Sequence, residues 1–503
     1  MVPFNTFTNG LDYDAITQAP IRGATIQAVD GSGTVLAEGQ TDDSGDYSLT
    51  VDSNTSVQIR VLSEIVQTGT PGFDVAVVDN TSGNALYALQ GALQSSGGAD
   101  SVRNLNALSG WDGTSYSGPR TAGPFAVLDP IYDTVTDFIA VAPDAQFPAI
   151  EMGWSPDNIA VSGDTNLGEI GTSSYVGNGQ TGMIFILGAE NSDTDEYDRH
   201  VITHEWGHYF EDLVSRADSL GGPHSLGQRL DARLALSEGF GNALSGIILD
   251  DPVYRDSQGT QQSGGFGFSV EQNNNFNPGW FSEGSTQSII YDLFDGPTDG
   301  DDNVALGLGP IYEAFTSPAY LNQTTFTTIF SFVEAMRLVA PGSVAGINAL
   351  VAEQSINGTG FDGAGETNNG TVPTALPIHN RVVIDGPPIE VCSVDDQGTF
   401  NRIGNRVYVL FDVPVAASYN ITASRVSGSS PSDPDIFLFL RGQFLGSQLS
   451  PTANFETGNI VLQADEHVLE IHDFFNIDDF NETSPNSATN NGDVCFNLTI
   501  TSN

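Results

Sequence analysis

The period of the apolar residues changes twice along this chain, and that change limits the fold more than any other feature. Near the N-terminus, ATIQAVD (24–30), TVLAEGQTD (34–42), DYSLTV (46–51) and VQIRVLS (57–63) alternate or carry β-branched residues, with turns such as DGSG and DDSGD between them. From residue 93 the spacing becomes helical, in GPFAVLDPIYDTVTDFIAVAP, RLALSEGFGNALSGIIL, STQSIIYDLFD and TTFTTIFSFVEAMRLVA, with one glycine-bounded apolar run, TGMIFILG, that reads as a buried strand. After residue 385 strand-like runs return: RVYVLFDV, YNITASRV, DIFLFLRG, NIVLQA, HVLEIHDF and VCFNLTI. At 503 residues the chain exceeds one ordinary core. The expectation is a β-sandwich over 1–92, an α+β domain over 93–384 and a second β-sandwich over 385–503.

The formal charge is -48, from 15 basic and 63 acidic residues, and every basic residue is an arginine. Nucleic acids and anionic membrane surfaces need basic patches, so neither is an expected partner. Such an acidic surface suits a salty, marine or halophilic setting, where screening weakens self-repulsion. No apolar run approaches the roughly 20 residues that span a bilayer, and MVPFNTFTNG has neither a basic nor an apolar leader region. The two cysteines, Cys392 and Cys495, fall near the first and last strands of the C-terminal region. They are expected to form a disulfide tying its ends, with two buried thiols as the alternative. Together these features lead to an extracytoplasmic bacterial protein, secreted, periplasmic or surface-anchored, whose leader lies outside this sequence.

Three of the seven histidines crowd into HVITHEWGHYF, residues 200–210. On a helix, expected over about 194–215 with Asp193 or Thr194 as N-cap, His204 and His208 stand one turn apart on one face and can share a metal ion. Glu205 is turned about 100° from His204, so it can reach water on that ion without being a ligand. His200 lies one turn too early to join. The plain alternative is a helix with two unrelated histidines. Downstream, ALSEGFGNALSG places Glu238 in an apolar helix, where an isolated carboxylate is costly to bury and a metal would offset the cost. A carboxylate facing solvent at a helix end is the alternative there.

HEWGHYF followed by SEGFGN resembles the gluzincin metallopeptidases, the class of thermolysin and fungalysin. The resemblance is strong over about 180–250, weaker to about 340, and absent outside the middle region. It implies a zincin-like catalytic domain, one catalytic Zn²⁺ held by His204, His208 and Glu238, and Glu205 as general base toward water attacking a peptide bond. Asn242 stands where the thermolysin pattern has an acid that orients a ligand histidine. An asparagine there can still accept a proton, though as a neutral group, and ordinary helix polarity is the alternative. For the second donor to the oxyanion the candidates are Tyr291 and His224, since the loop after STQSIIYDLFD has no histidine. TDDSGDYSLTV resembles the carboxypeptidase regulatory-like sandwich and SDPDIFLFLRG the pre-peptidase C-terminal sandwich. DGPTDGDDN, with Asp295, Asp299, Asp301 and Asp302, could bind Ca²⁺ through hard oxygen ligands, as could DTDEYD, with a solvated loop as the alternative. The resemblance implies a secreted, monomeric zinc endopeptidase acting on protein or peptide. Its rivals are an inactive adhesion or carbohydrate-binding protein and a zinc hydrolase for glycopeptide or peptidoglycan.

Overall fold

The computed structural model describes residues 1–272, 277–296, 304–477 and 492–503. The chain divides into two compact units, Met1–Val214 with Leu244–Ser269, and Ser215–Ala243 with Val270–Asn503.

The first unit is built on a ten-stranded sheet. Its main path uses β1 (Ala24–Val29), β2 (Val35–Gln40), β3 (Ser56–Gln67), β4 (Phe73–Asp79), β5 (Ile150–Trp154), β6 (Ser174–Gly177) and β7 (Gly182–Ile186), in the order β2-β1-β3-β4-β5-β7-β6. β4, β5 and β7 run parallel, and the others pair antiparallel. Strands from either side of residue 92 therefore share one sheet, where a separate N-terminal sandwich was expected. The alternation in VQIRVLS reports which face of β3 is buried but not which strand lies beyond β4. DYSLTV forms no strand.

Helix α1 (Gly123–Val141) packs on β3 and β4, and α2 (Arg199–Leu213) packs on α1, β6 and β7. Phe138 of α1 stacks on Phe210 at 5.1 Å between centroids and lies 5.3 Å from Trp206, which also touches Phe147. These buried rings fix the rotation of α2 about its axis and so decide which of its residues face away from the core. A second, antiparallel sheet joins β8 (Gly188–Ala189), β9 (Asp193–Thr194), β10 (Val253–Gln258) and β11 (Gly264–Ser269). Because Asp193 and Thr194 are in β9, α2 begins at Arg199, about five residues later than expected. Asp198 stands at its N-cap but makes no capping bond; its carboxylate accepts from the Ser257 amide at 2.6 Å and hydroxyl at 2.8 Å.

Helix α3 (Ala232–Leu249) begins in the second unit and ends in the first. The second unit continues with α4 (Glu283–Phe294), α5 (Leu308–Thr316), α6 (Ile329–Val339) and α7 (Val344–Glu353). α6 starts after the first residues of TTFTTIFSF because the Ser331 hydroxyl accepts from the Thr328 amide and closes the helix there. Two sheets follow. One orders β12 (His379–Arg381), β14 (Arg406–Asp412), β19 (Glu466–Asp473), β16 (Pro434–Leu440) and β17 (Gln443–Gln448); the other orders β13 (Ile389–Ser393), β20 (Val494–Ser502), β15 (Ala417–Gly428) and β18 (Phe455–Leu462). Their inward residues, among them Val409, Phe411, Leu438 and Leu469 from one sheet and Ile421, Phe496 and Leu498 from the other, form one core, so this part is a β-sandwich. Cys392 and Cys495 are directly opposite in the β13–β20 ladder and are joined by a disulfide closing 103 residues.

The sandwich is bonded to the start of α3. Arg233 pairs with Glu470 of β19 and with Asp231, and Arg406 reaches the other oxygen of Glu470 at 2.8 Å. Tyr408 donates its hydroxyl proton to Asp231. Among the described residues no helix is long and apolar enough to cross a membrane.

Candidate active site

The i,i+4 spacing on α2 turns His204 and His208 toward each other. Their Nε2 atoms are 3.0 Å apart and their rings meet edge to face, with centroids at 4.8 Å. His204 is buried and His208 partly so. The Nδ1 of His208 lies 3.6 Å from a carboxylate oxygen of Glu211, which is itself buried. That acid stands one turn further along α2 beside the His208 ring, a neighbour sequence reading did not single out; its signal was an acid three residues after the second histidine. His200 points elsewhere: its Nδ1 is 3.0 Å from the Ser245 hydroxyl, and burial holds its pKa below the usual histidine range.

Glu205 is held by the sheet. Its Oε2 accepts from the backbone amide of Tyr175 at 2.7 Å, and Tyr175 lies on β6, the edge strand of the ten-stranded sheet. Tyr175 in turn donates its hydroxyl to Asp212 of α2 at 2.7 Å, and Asp212 also accepts from the Gly179 amide at 3.0 Å. The edge strand and the motif helix are thus laced together at Glu205 and again two turns further on, at Asp212. Tyr254 of β10, which the sequence gave no reason to single out, meets the His204 ring edge-on with centroids at 6.1 Å.

In the second unit, Glu238 is buried on α3. One of its oxygens is 3.1 Å from His224 Nε2, while His224 Nδ1 is 2.8 Å from Glu283 on the first turn of α4. Both ring nitrogens of His224 therefore face carboxylates. α3 and α4 touch closely beside Glu238: a Cβ on Gly239 would lie 2.5 Å from Thr286 Cβ. Asn242 donates its amide to Gln287 at 3.0 Å. Tyr291 is buried on α4, with its ring 6.1 Å from Phe294.

The first unit also holds a group of buried and half-buried acids. Asp193, Asp195 and Asp256 have carboxylate oxygens within 4.8 Å of one another. Asp195 is only 3% exposed and its Oδ1 has no hydrogen-bond partner. Burial raises the pKa of Asp195, lifts Asp193 to about 6 and lifts Asp256 to about 7, with their mutual repulsion adding to the rise in Asp195 and Asp256. Of the acids expected in DGPTDGDDN, Asp299, Asp301 and Asp302 lie outside the described residues.

Residues 171–341 match the family model described as the Mycolysin C-terminal domain. A search of curated proteins finds no match. Among solved structures, the precursor of protealysin, a metalloproteinase from Serratia proteamaculans, is similar over 58% of this chain and 90% of its own, at 11% identity and a TM-score of 0.32. The pre-peptidase C-terminal domain of a collagenase from Bacillus anthracis is similar over 24% of this chain and 93% of its own, at 13% identity and a TM-score of 0.18. Neither overlap is close enough to carry a residue's role across. The family match runs from just before β6 to the end of α6.

Proposed function

We propose that the chain is a secreted zinc-dependent endopeptidase in which His204, His208 and Glu238 hold one Zn²⁺ and Glu205 is the general base. The observation that carries this reading is the imidazole pair on α2, with Nε2 atoms 3.0 Å apart. Two nitrogens bound to one tetrahedral zinc stand about 3.4 Å apart, so the pair needs little adjustment to fit. A cation shared by the two nitrogens would accept a lone pair from each. Two nitrogens with one carboxylate oxygen is a donor set suited to zinc.

A zinc ion bound there supplies a Lewis acid that polarises a carbonyl and acidifies water. Glu205 takes the proton of the attacking water and returns it to the leaving amine. The Tyr175 amide donates to one oxygen of Glu205 and so orients the carboxylate. Tyr291 is the donor we assign to the developing oxyanion, and Asn242 the acceptor that orients a ligand imidazole, its amide nitrogen already committed to Gln287. The disulfide and the lysine-free acidic composition support secretion.

For calcium we assign the group Asp193, Asp195 and Asp256. Hard oxygen ligands suit the ion, and the unpartnered Oδ1 of the buried Asp195 is the observation behind the assignment.

Metal analysis of the purified protein, run beside digestion of casein with and without a chelator, tests the zinc assignment. One zinc per chain and chelator-sensitive cleavage are expected. Casein cleavage by zinc-free protein would overturn it, as would a zinc-loaded protein that leaves casein intact.

A further inference from the structure

His224 stands between two buried acids that sequence separation gives no reason to connect. Its Nε2 is 3.1 Å from Glu238 and its Nδ1 is 2.8 Å from Glu283. Glu283 is nearly inaccessible, at 2% exposed, and its place on the first turn of α4 gives it a fixed backbone position and a favourable helix dipole. The loop that carries His224 is pinned by three hydrogen bonds from two neighbouring residues. Asn401 donates to the carbonyls of Gly221 and Pro223, both at 3.0 Å, and Arg402 donates to Pro223 at 3.0 Å. Gly222 has φ of +95°, and a Cβ there would come 2.3 Å from the Phe400 ring, so the loop follows a path open only to glycine.

A carboxylate that binds a metal through one oxygen is held in place by what its other oxygen accepts, and such outer partners shape affinity nearly as much as the ligands do. We infer that His224 is a positioning residue that holds Glu238 ready for the metal, with Glu283 as the anchor behind it. This rests on the zinc reading of Glu238. It also removes His224 from the choice of oxyanion donors, since an imidazole hydrogen-bonded to a carboxylate at each nitrogen has no N–H left for a substrate carbonyl.

The test is zinc affinity of the full-length protein at fixed pH, measured by competition with a chromophoric chelator, for wild type, His224→Leu, His224→Gln and Glu238→Gln. His224→Leu removes both contacts and should weaken zinc binding roughly 10–100-fold. His224→Gln keeps one N–H donor and should recover part of that loss, which a merely structural role for the ring would not produce. The unfolding midpoint of the zinc-free protein, recorded for each variant, separates a general loss of stability from a loss of affinity. Wild-type affinity in His224→Leu overturns the inference; if that variant does not fold, wild-type affinity in His224→Gln with a lowered zinc-free midpoint overturns it. Should Glu238→Gln itself bind zinc as wild type does, the ligand assignment fails first and the role of His224 falls with it.

Discussion

Arg233, in the first turn of α3, and Glu470, in the middle of β19, form an ion pair at 2.9 Å with both side chains about 5% exposed. Five residues beyond Arg233 on the same helix is Glu238. The C-terminal sandwich is therefore part of the framework that holds this helix, through Asp231, Arg233, Arg406, Tyr408 and Glu470, and is not an appendage.

Removing Arg233 strips one cationic partner from each of two buried acids, Asp231 and Glu470, although Arg406 still meets Glu470. Arg233→Met should lower stability by about 3–5 kcal/mol, read as a shift of the urea midpoint. A chain ending before residue 385 should fail to fold into a soluble form, since it would strip α3 of Tyr408 and Glu470. An unchanged midpoint, or a stable truncated chain, would show that the network contributes little.

Glu205→Gln preserves the shape of the side chain and an oxygen to accept from the Tyr175 amide, but cannot take a proton. It should retain wild-type zinc content while turnover of a peptide substrate falls roughly 10²–10⁴-fold. His208→Ala, by contrast, should lose the metal. If Glu205→Gln cleaves at the wild-type rate, the base is another residue.

The acids at β9 and β10 give the protein a pH dependence of definite sign. Asp193 is lifted to about 6 and Asp256 to about 7, both chiefly by burial. A carboxyl whose pKa is higher in the folded state binds its proton more tightly there. This group's penalty is therefore full above pH 7 and is relieved as pH falls through about 7 and then about 6. Asp256→Asn should flatten the change in urea midpoint between pH 8 and pH 5 relative to wild type. Calcium added at pH 8 should raise the wild-type melting temperature and leave Asp256→Asn nearly unmoved. Equal slopes and equal calcium responses in the two proteins would remove the group from consideration.

The Cys392–Cys495 bridge closes 103 residues between paired strands. Replacing both cysteines with alanine should cost about 2–5 kcal/mol, measured by urea unfolding, and adding reductant to the variant should change nothing further. An equal midpoint with and without the bridge would contradict this.

What the sequence disclosed depended on the distance over which each feature is decided. The spacing of His204 and His208 is set by one helical turn, so their approach was legible from five residues. The disulfide followed from the count and position of two cysteines, and the strand character of β3 from its alternation. Partners decided far away were hidden: Glu283 meets His224 across 59 residues, and nothing local announces it. The same holds for the parallel pairing of β4 with β5, which carries the N-terminal strands into the sheet of the middle region. DYSLTV has the composition of a strand, yet no partner strand pairs with it. DTDEYD looked like a helix start, but Asp193 and Thr194 were claimed by β9 and Asp198 by Ser257, so the first turn moved to Arg199.

The exclusive use of arginine has a consequence for the conditions this protein can withstand. Its buried ion pairs, Arg120 with Glu196 and Arg233 with Glu470, rest on guanidinium groups. Lysine in those places would begin to surrender its proton near pH 10, whereas guanidinium keeps its charge beyond pH 12. The charge on these buried cations should therefore persist in strongly alkaline brine.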